Sequence, residues 1–435
     1  MVSTPGQTLK DRFQTLVDIG RDELPVAAAG AAMFFLLFTG YFMLRPVRET
    51  MGIAGGIQNL QWLFTATFIA TLVALPLFGW LASRAVRRRI LPWTYAFFVT
   101  NLIAFAIGFS NDPDNVWTAR MFYVWLSVFN LLAISLAWSV LADLLPVSQA
   151  KRLFAIMAAG ASLGGLTGPI LGTLLVAPIG HAGLLILSAI LLALSAAVGV
   201  WLHHWRDAHP PPDSENASRS APLGGNAFAG ATTVFGSRYL AGIAVFVVLL
   251  AIVNTFLYFE QARLVAETFP DRTQQTQVFG LIDTFVQTLT ILIQIFLTGR
   301  IAQKFGIGTL LIAVPVIMAA GFLWLAFAPV FAVLAVVMVV RRVGEYALVR
   351  PGREMLYTVV PPEQKYKAKN FIDTVVYRGG DAIGGWVKRA LDILAEQPAI
   401  AMIIGAVIAL TWAATGAYLG RQESRAETRE HTATA

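Results

Sequence analysis

The sequence contains no cysteine, which excludes disulfides and thiolate metal sites outright. Histidine is scarce too: of five, only His203 and His204 are neighbours, and no spacing among them would hold a metal. Charge is thin, with Asp, Glu, Lys and Arg making up 13% of 435 residues. No GxxxxGK[ST] loop occurs, so an ATP-hydrolysing pump of that kind is excluded. Nor is there a GxSxG, an HExxH or a His/carboxylate cluster to carry a reaction. These absences point away from an enzyme and imply no bound cofactor and no metal.

Apolar surface is what the chain has in excess. It is 57% apolar with a mean hydropathy of +0.67, well beyond an ordinary soluble domain. Apolar runs of about 20 residues, repeated along the chain, mark an all-α polytopic membrane protein whose first partner is the lipid bilayer. Twelve such runs lie near 25–45, 59–82, 90–110, 121–145, 153–177, 183–203, 238–259, 278–298, 309–328, 330–350, 370–390 and 398–419. The N-terminal 25 residues are polar and amphipathic and lack the apolar core of a cleaved signal peptide. The expected organisation is a cytoplasmic segment 1–24, a six-helix bundle 25–205, a cytoplasmic linker 206–237, a second six-helix bundle 238–420 and a cytoplasmic tail 421–435. The linker is rich in Pro, Ser, Gly and Asn, a composition that buries no core.

The net charge of +7 has its explanation in topology, not in nucleic acid. The termini and even-numbered loops hold 22 of the 32 Lys and Arg, the odd-numbered loops seven, and Arg341, Arg342 and Arg378 fall inside runs. By the positive-inside rule both termini are cytoplasmic, and the chain is expected in the inner (plasma) membrane.

The two halves repeat. Gly79 and Arg84 follow the second run as Gly299 and Lys304 follow the eighth, and Gly164-Gly165 recur as Gly384-Gly385, always 220 residues on. Parallel six-helix repeats joined by a linker resemble the major facilitator architecture, in which substrate binds between the halves near mid-membrane. GWLASRAVRRR also resembles that superfamily's loop motif GxLaDRxGRR, with Ser83 and Gln303 at the position of its Asp. In the fifth run Gly160, Gly164, Gly168 and Gly172 form a stripe that lets a neighbouring backbone approach closely.

Ionisable groups inside a span are costly, about 2.5–3.5 kcal/mol each on insertion scales, and usually pair or face a cavity. The first run ends in Arg45, Arg48 and Glu49 around Pro46. The eighth carries Asp283, Gln287, Thr290 and Gln294 at spacings that keep them on one helical face, a stripe expected to line a cavity. The tenth ends in Arg341, Arg342 and Glu345; the eleventh places Asp373, Tyr377 and Asp381 on one face, with Arg378 beside Asp381.

Three stretches resemble the nucleotide exchange family, the ATP/ADP antiporters of plastids and obligate intracellular bacteria and their bacterial relatives. FLLFTGYFMLRPVRETMG is similar to the family's Leu-Arg-x-x-Lys-Asp, with Arg48 and Glu49 where the carriers have Lys and Asp. Trp138, Asp143, Ala150, Lys151 and Arg152 stand in register with a second family motif. Pro351, Arg353, Glu354, Met355 and Tyr357, then Lys365, Lys367, Lys369, Ile372 and Asp373, match a third. The resemblance implies the facilitator fold and puts Arg48, Asp143, Arg353, Glu354 and Lys369 forward on the substrate path.

Taken with the intramembrane charges, the expected path residues are Arg45, Arg48, Asp143, Asp283, Gln287, Glu345, Arg353, Glu354, Lys369, Asp373, Arg378 and Asp381. The expected function is secondary active transport of a small molecule by alternating access, the substrate being an anionic metabolite of which a nucleotide is the form the resemblance implies. The energy comes from a gradient, either of protons or of an exchanged solute. A proton-coupled carrier or exporter of a non-nucleotide solute is the alternative; a non-transporting receptor or scaffold is disfavoured by the charges kept in both halves.

Overall fold

A bilayer core offers no water to backbone amides, so the chain satisfies them within helices. In the computed structural model residues 23–84, 87–145, 147–208, 230–394 and 398–434 are described, and their regular structure is helical throughout. The first half comprises α1 (Leu24–Ala54), α2 (Leu60–Arg84), α3 (Arg87–Asn111), α4 (Val116–Leu144) and α5 (Val147–Ala208). A short α6 (Ala231–Phe235) precedes α7 (Arg238–Thr268), α8 (Arg272–Ile293) and α9 (Gly299–Phe327). The chain closes with α10 (Phe331–Gly344), α11 (Arg350–Met355), α12 (Pro362–Phe371), α13 (Tyr377–Leu394) and α14 (Pro398–Thr434).

Eight of the described helical stretches are long and apolar enough to cross a membrane. Two of them are sharply bent. α5 turns at Gly180 (φ 68°) and α9 at Gly306 (φ 75°), between the fifth and sixth and the eighth and ninth expected runs. A Cβ at either glycine would meet nothing within 4 Å. The left-handed backbone, not crowding, is what requires glycine there. Twelve crossings would count each bent helix twice and add the charge-bearing segments 331–355 and 362–394; that total stays a reading of the sequence.

The segment 206–237 is structured where it is described. α5 runs on to Ala208, and α6 sits against α12: a Cβ on Gly230 would lie 2.1 Å from the Lys367 carbonyl oxygen, and Phe235 meets Phe371 edge-on at 6.2 Å. Residues 1–22 and 209–229 lie outside the described part. Ser237 and Asp271 cap α7 and α8, accepting from the Leu240 and Gln274 amides. α14 continues through Thr434, taking in residues expected as a tail.

The helices cluster into two compact units. One runs from the start of α1 to Arg45, with Trp80–Pro113 and the chain from Phe129 through α5. The other holds Pro46–Gly79, Asp114–Val128 and the second half of the chain. In the first unit the glycine stripe of α5 lies on α1. Ideal Cβ atoms on Gly160, Gly164, Gly168 and Gly172 would come 2.2, 2.5, 2.7 and 2.9 Å from the carbonyl oxygens of Ala31, Phe35, Thr39 and Met43. Both series step by four, so the helices run parallel with one backbone seated in the other's groove. Phe34 and Trp138, with ring centroids 4.3 Å apart, continue the core.

The second unit repeats this contact. A Cβ on Gly380 would reach the Ala251 Cβ at 2.9 Å, and one on Gly384 the Thr255 Cβ at 3.2 Å. Gly160 with Ala31 and Gly164 with Phe35 become these pairs when every number is raised by 220. The repeat is therefore one of packing as well as of sequence. The core of this unit gathers Phe246, Phe256, Phe322 and Trp412, all fully buried, from α7, α9 and α14.

Three π turns interrupt the second half: Gln294–Thr298 after α8, Glu345–Val349 after α10 and Ile372–Val376 before α13. A π turn leaves carbonyls outside the α pattern, and these must be satisfied elsewhere. The first turn supplies the second: Gln294 Nε2 donates to the Tyr346 carbonyl (3.1 Å) and Thr298 Oγ1 to the Ala347 carbonyl (2.8 Å).

Candidate functional site

The second unit answers the cost of its intramembrane charges with pairs. Arg341 of α10 and Glu345, four residues on at the start of the π turn that follows it, lie 3.2 Å from each other. Asn254 of α7 stands beside them; its carbonyl accepts from Arg341, and its amide donates to Glu345 (3.2 Å) and to the Tyr377 hydroxyl (3.3 Å). Arg342 pairs with Asp283, both buried, and so ties α10 to α8. Arg378 and Asp381 pair at 3.4 Å on α13. This ladder of polar groups is one side of an otherwise apolar packing of α7, α8, α10 and α13.

A second group joins it from the end of α1. Arg48 binds Glu49 at 2.5 Å, donates to Ser127 at 3.3 Å and lies over the Tyr123 ring at 5.2 Å. Tyr258 of α7 is an electrostatic neighbour of both Arg48 and Glu49. Nearby, Thr50 and Thr276 share a hydrogen bond of 2.7 Å, the Arg120 Nε donates to the Gly55 carbonyl, and Arg272 pairs with Asp114 at 3.0 Å. Trp62 meets Trp386 edge-on at 4.8 Å, and the Trp386 Nε1 donates to Thr65.

A third group lies where α11 and α12 meet. Arg353 and Asp373 stand 2.9 Å apart, an ion pair by distance that is not aligned as a hydrogen bond. Lys369 donates to Glu354 at 2.6 Å. In the loop between α11 and α12, burial pushes the Tyr357 hydroxyl well above the usual tyrosine range, so it stands as a neutral phenol near Arg353 and Asp373.

The expected path residues thus fall into separate groups. Glu345 is in the ladder with Arg378 and Asp381; Arg48 belongs to the α1 group; Arg353, Glu354, Lys369 and Asp373 make the third. The α spacing that put Asp373 on one face with Tyr377 and Asp381 does not hold across the π turn Ile372–Val376, and Asp373 is directed to Arg353 instead. Of the stripe on the eighth run, Asp283 and Gln294 are turned to α10 and its π turn. Gln287 is half-buried and makes no side-chain hydrogen bond to a described residue. Arg45 belongs to the first unit, 5.9 Å over the Phe42 ring. Asp143 is on α4, with its side chain outside the described part. Asn254, Tyr258 and Tyr123 were not foreseen as participants. A polar Asn inside the seventh run was the one signal available.

Comparison with known proteins bears on the fold and the family. Residues 227–422 match the model of the TLC ATP/ADP transporter family. ADP,ATP carrier protein 1 of Chlamydia trachomatis is 23% identical over 94% of this chain and 85% of its own length. Among solved structures, a bacterial homologue of the human lysosomal transporter Spinster, inward-facing, aligns with a TM-score of 0.62 at 15% identity over 94% of this chain and 99% of that one. A POT family peptide transporter aligns with a TM-score of 0.64 at 14% identity over 91% and 96%. Such identities speak for the fold alone. The model of the major facilitator superfamily matches residues 28–269, more than half of the chain, and the chain is a multi-pass membrane transporter belonging to that superfamily.

Proposed function

We propose that the protein is a secondary active antiporter that exchanges nucleotides, ATP and ADP in type, by alternating access across the inner membrane with both termini cytoplasmic. The observation that carries this reading is the ladder of paired charged side chains on α8, α10 with its π turn, and α13, bridged by Asn254 of α7. It lies in the half that matches the ATP/ADP transporter model, and arginines dominate its cations, whose fork of donors suits phosphate. Helices α1, α2 and α4 each belong in part to both units. The contacts their ends make with the second half, Thr50 with Thr276 and Trp62 with Trp386, are those that must part if substrate is to pass there.

The test is uptake of labelled ATP or ADP into proteoliposomes preloaded with unlabelled ADP. Exchange well above protein-free vesicles is expected; uptake equal to them would end the nucleotide reading. Proton coupling is the second reading, and the pairing of Asp283 with Arg342 weighs against it. An imposed pH gradient is therefore expected to drive no net uptake in the absence of internal nucleotide.

A further inference from the structure

Four arginines lie between the middle of α10 and the end of α11. Three have a carboxylate partner: Arg341 has Glu345, Arg342 has Asp283 and Arg353 has Asp373. Arg350 makes no ion pair and no side-chain hydrogen bond with a described residue. It is exposed, although Val349 and Gly352 beside it are buried. Its guanidinium lies over the Tyr346 ring, 4.9 Å from the centroid. The carboxylates in its electrostatic neighbourhood are Glu345 and Asp373.

The backbone explains how it comes to lie there. In an unbroken α-helix, five residues on from Glu345 would sit about 140° around from it. The π turn Glu345–Val349 winds more widely, so Arg350 follows it closer to the face that carries Arg341 and Glu345. The cation is thus presented beside the ladder, over an aromatic ring, with its donors uncommitted among the described residues. Every carboxylate near it, Glu345 and Asp373, is already engaged by another arginine.

We propose that Arg350, steadied by Tyr346, binds the phosphate group of the transported anion in the second half of the carrier. This rests on the exchange reading above and adds to it a residue that the sequence motifs leave out. Planar guanidinium favours phosphate because two parallel donors match two oxygens. A lysine would keep the charge and lose both the match and the stack.

Arg350→Ala, Arg350→Lys, Tyr346→Leu and Tyr346→Phe should be compared with the unchanged protein in proteoliposomes of phosphatidylcholine, with KM and maximal rate read separately. Arg350→Ala is expected to raise KM for ADP about tenfold or more, the loss of one charge-assisted contact, while the maximal rate holds within about twofold. Arg350→Lys should fall between, Tyr346→Leu should raise KM less, and Tyr346→Phe, which keeps the ring, should raise it least. An unaltered KM in Arg350→Ala overturns the proposal; if that variant does not fold, an unaltered KM in Arg350→Lys and Tyr346→Leu does so. If melting in detergent shifts with phosphatidylglycerol but not with ADP, and the shift is lost in Arg350→Ala, the residue holds a lipid headgroup and the proposal fails. If the unchanged protein exchanges no nucleotide, the exchange reading falls by itself. Inorganic pyrophosphate then serves as the probe: stabilisation lost in Arg350→Ala supports an anion site, and equal or absent stabilisation in both proteins refutes it.

Discussion

Asp283 and Arg342 show what a single residue contributes here. Both are buried and each is the other's ionic partner. Removing either would strand a charge in the interior, which costs about 3–5 kcal/mol. Asp283→Ala and Arg342→Ala should each lower the melting temperature in detergent steeply, whereas the double replacement Asp283→Leu with Arg342→Met should recover most of the loss. A double variant as unstable as the two singles combined would show that the residues act separately. From sequence these two were seen as charges without an address: Asp283 had a stripe and Arg342 a helix end. A partner 59 residues away leaves no mark in local spacing, because pairing across helices depends on how the helices are rotated. Asn254 was passed over for the same reason. One amide in an apolar run has no period to reveal it, yet it holds Arg341, Glu345 and Tyr377 together.

Helices carry the next level. The glycine stripe of α5 was legible in full, since a four-residue period of the smallest side chain has few uses other than close approach. The structure adds the partner and a gradient along the contact. A methyl at Gly160 would overlap the Ala31 carbonyl far more than one at Gly172 would overlap that of Met43. Gly160→Ala should therefore cut the yield of monodisperse protein on size-exclusion chromatography much more than Gly172→Ala; equal yields would mean that α5 draws back as a rigid rod. The three π turns were not legible, because nothing in residue type or period announces one extra residue per turn. They explain why Asp373 parts from Tyr377 and why Arg350 escapes a sequence reading that placed it at the edge of a run. Thr298→Val tests their coupling. It leaves the Ala347 carbonyl without its donor and is expected to cost about 1–2 kcal/mol, read as a lower melting temperature, while Thr288→Val, whose hydroxyl is exposed and bonds only within its own helix, should cost almost nothing.

For the molecule as a whole, the repeat at 220 residues was visible as matched glycines and is now visible as matched contacts, Gly160 on Ala31 and Gly380 on Ala251. Eight of the apolar spans were legible because hydropathy marks them directly. The division of α1, α2 and α4 between two units was not, since a continuous apolar helix gives no hint of where its neighbours change. The ion pairs of the second half have an electrical consequence at this scale. Arg341 with Glu345, Arg342 with Asp283 and Arg378 with Asp381 each move through the membrane field as a dipole, so these groups contribute almost no gating charge when the carrier reorients. The voltage dependence of exchange then belongs to the cargo. Exchange of two substrates of equal charge should be indifferent to an imposed potassium diffusion potential, whereas partners differing by one charge should be biased by up to about 2.3 kcal/mol per 100 mV. The paired charges travel as nearly neutral units, and the membrane senses the cargo together with Arg350, the cation that meets it.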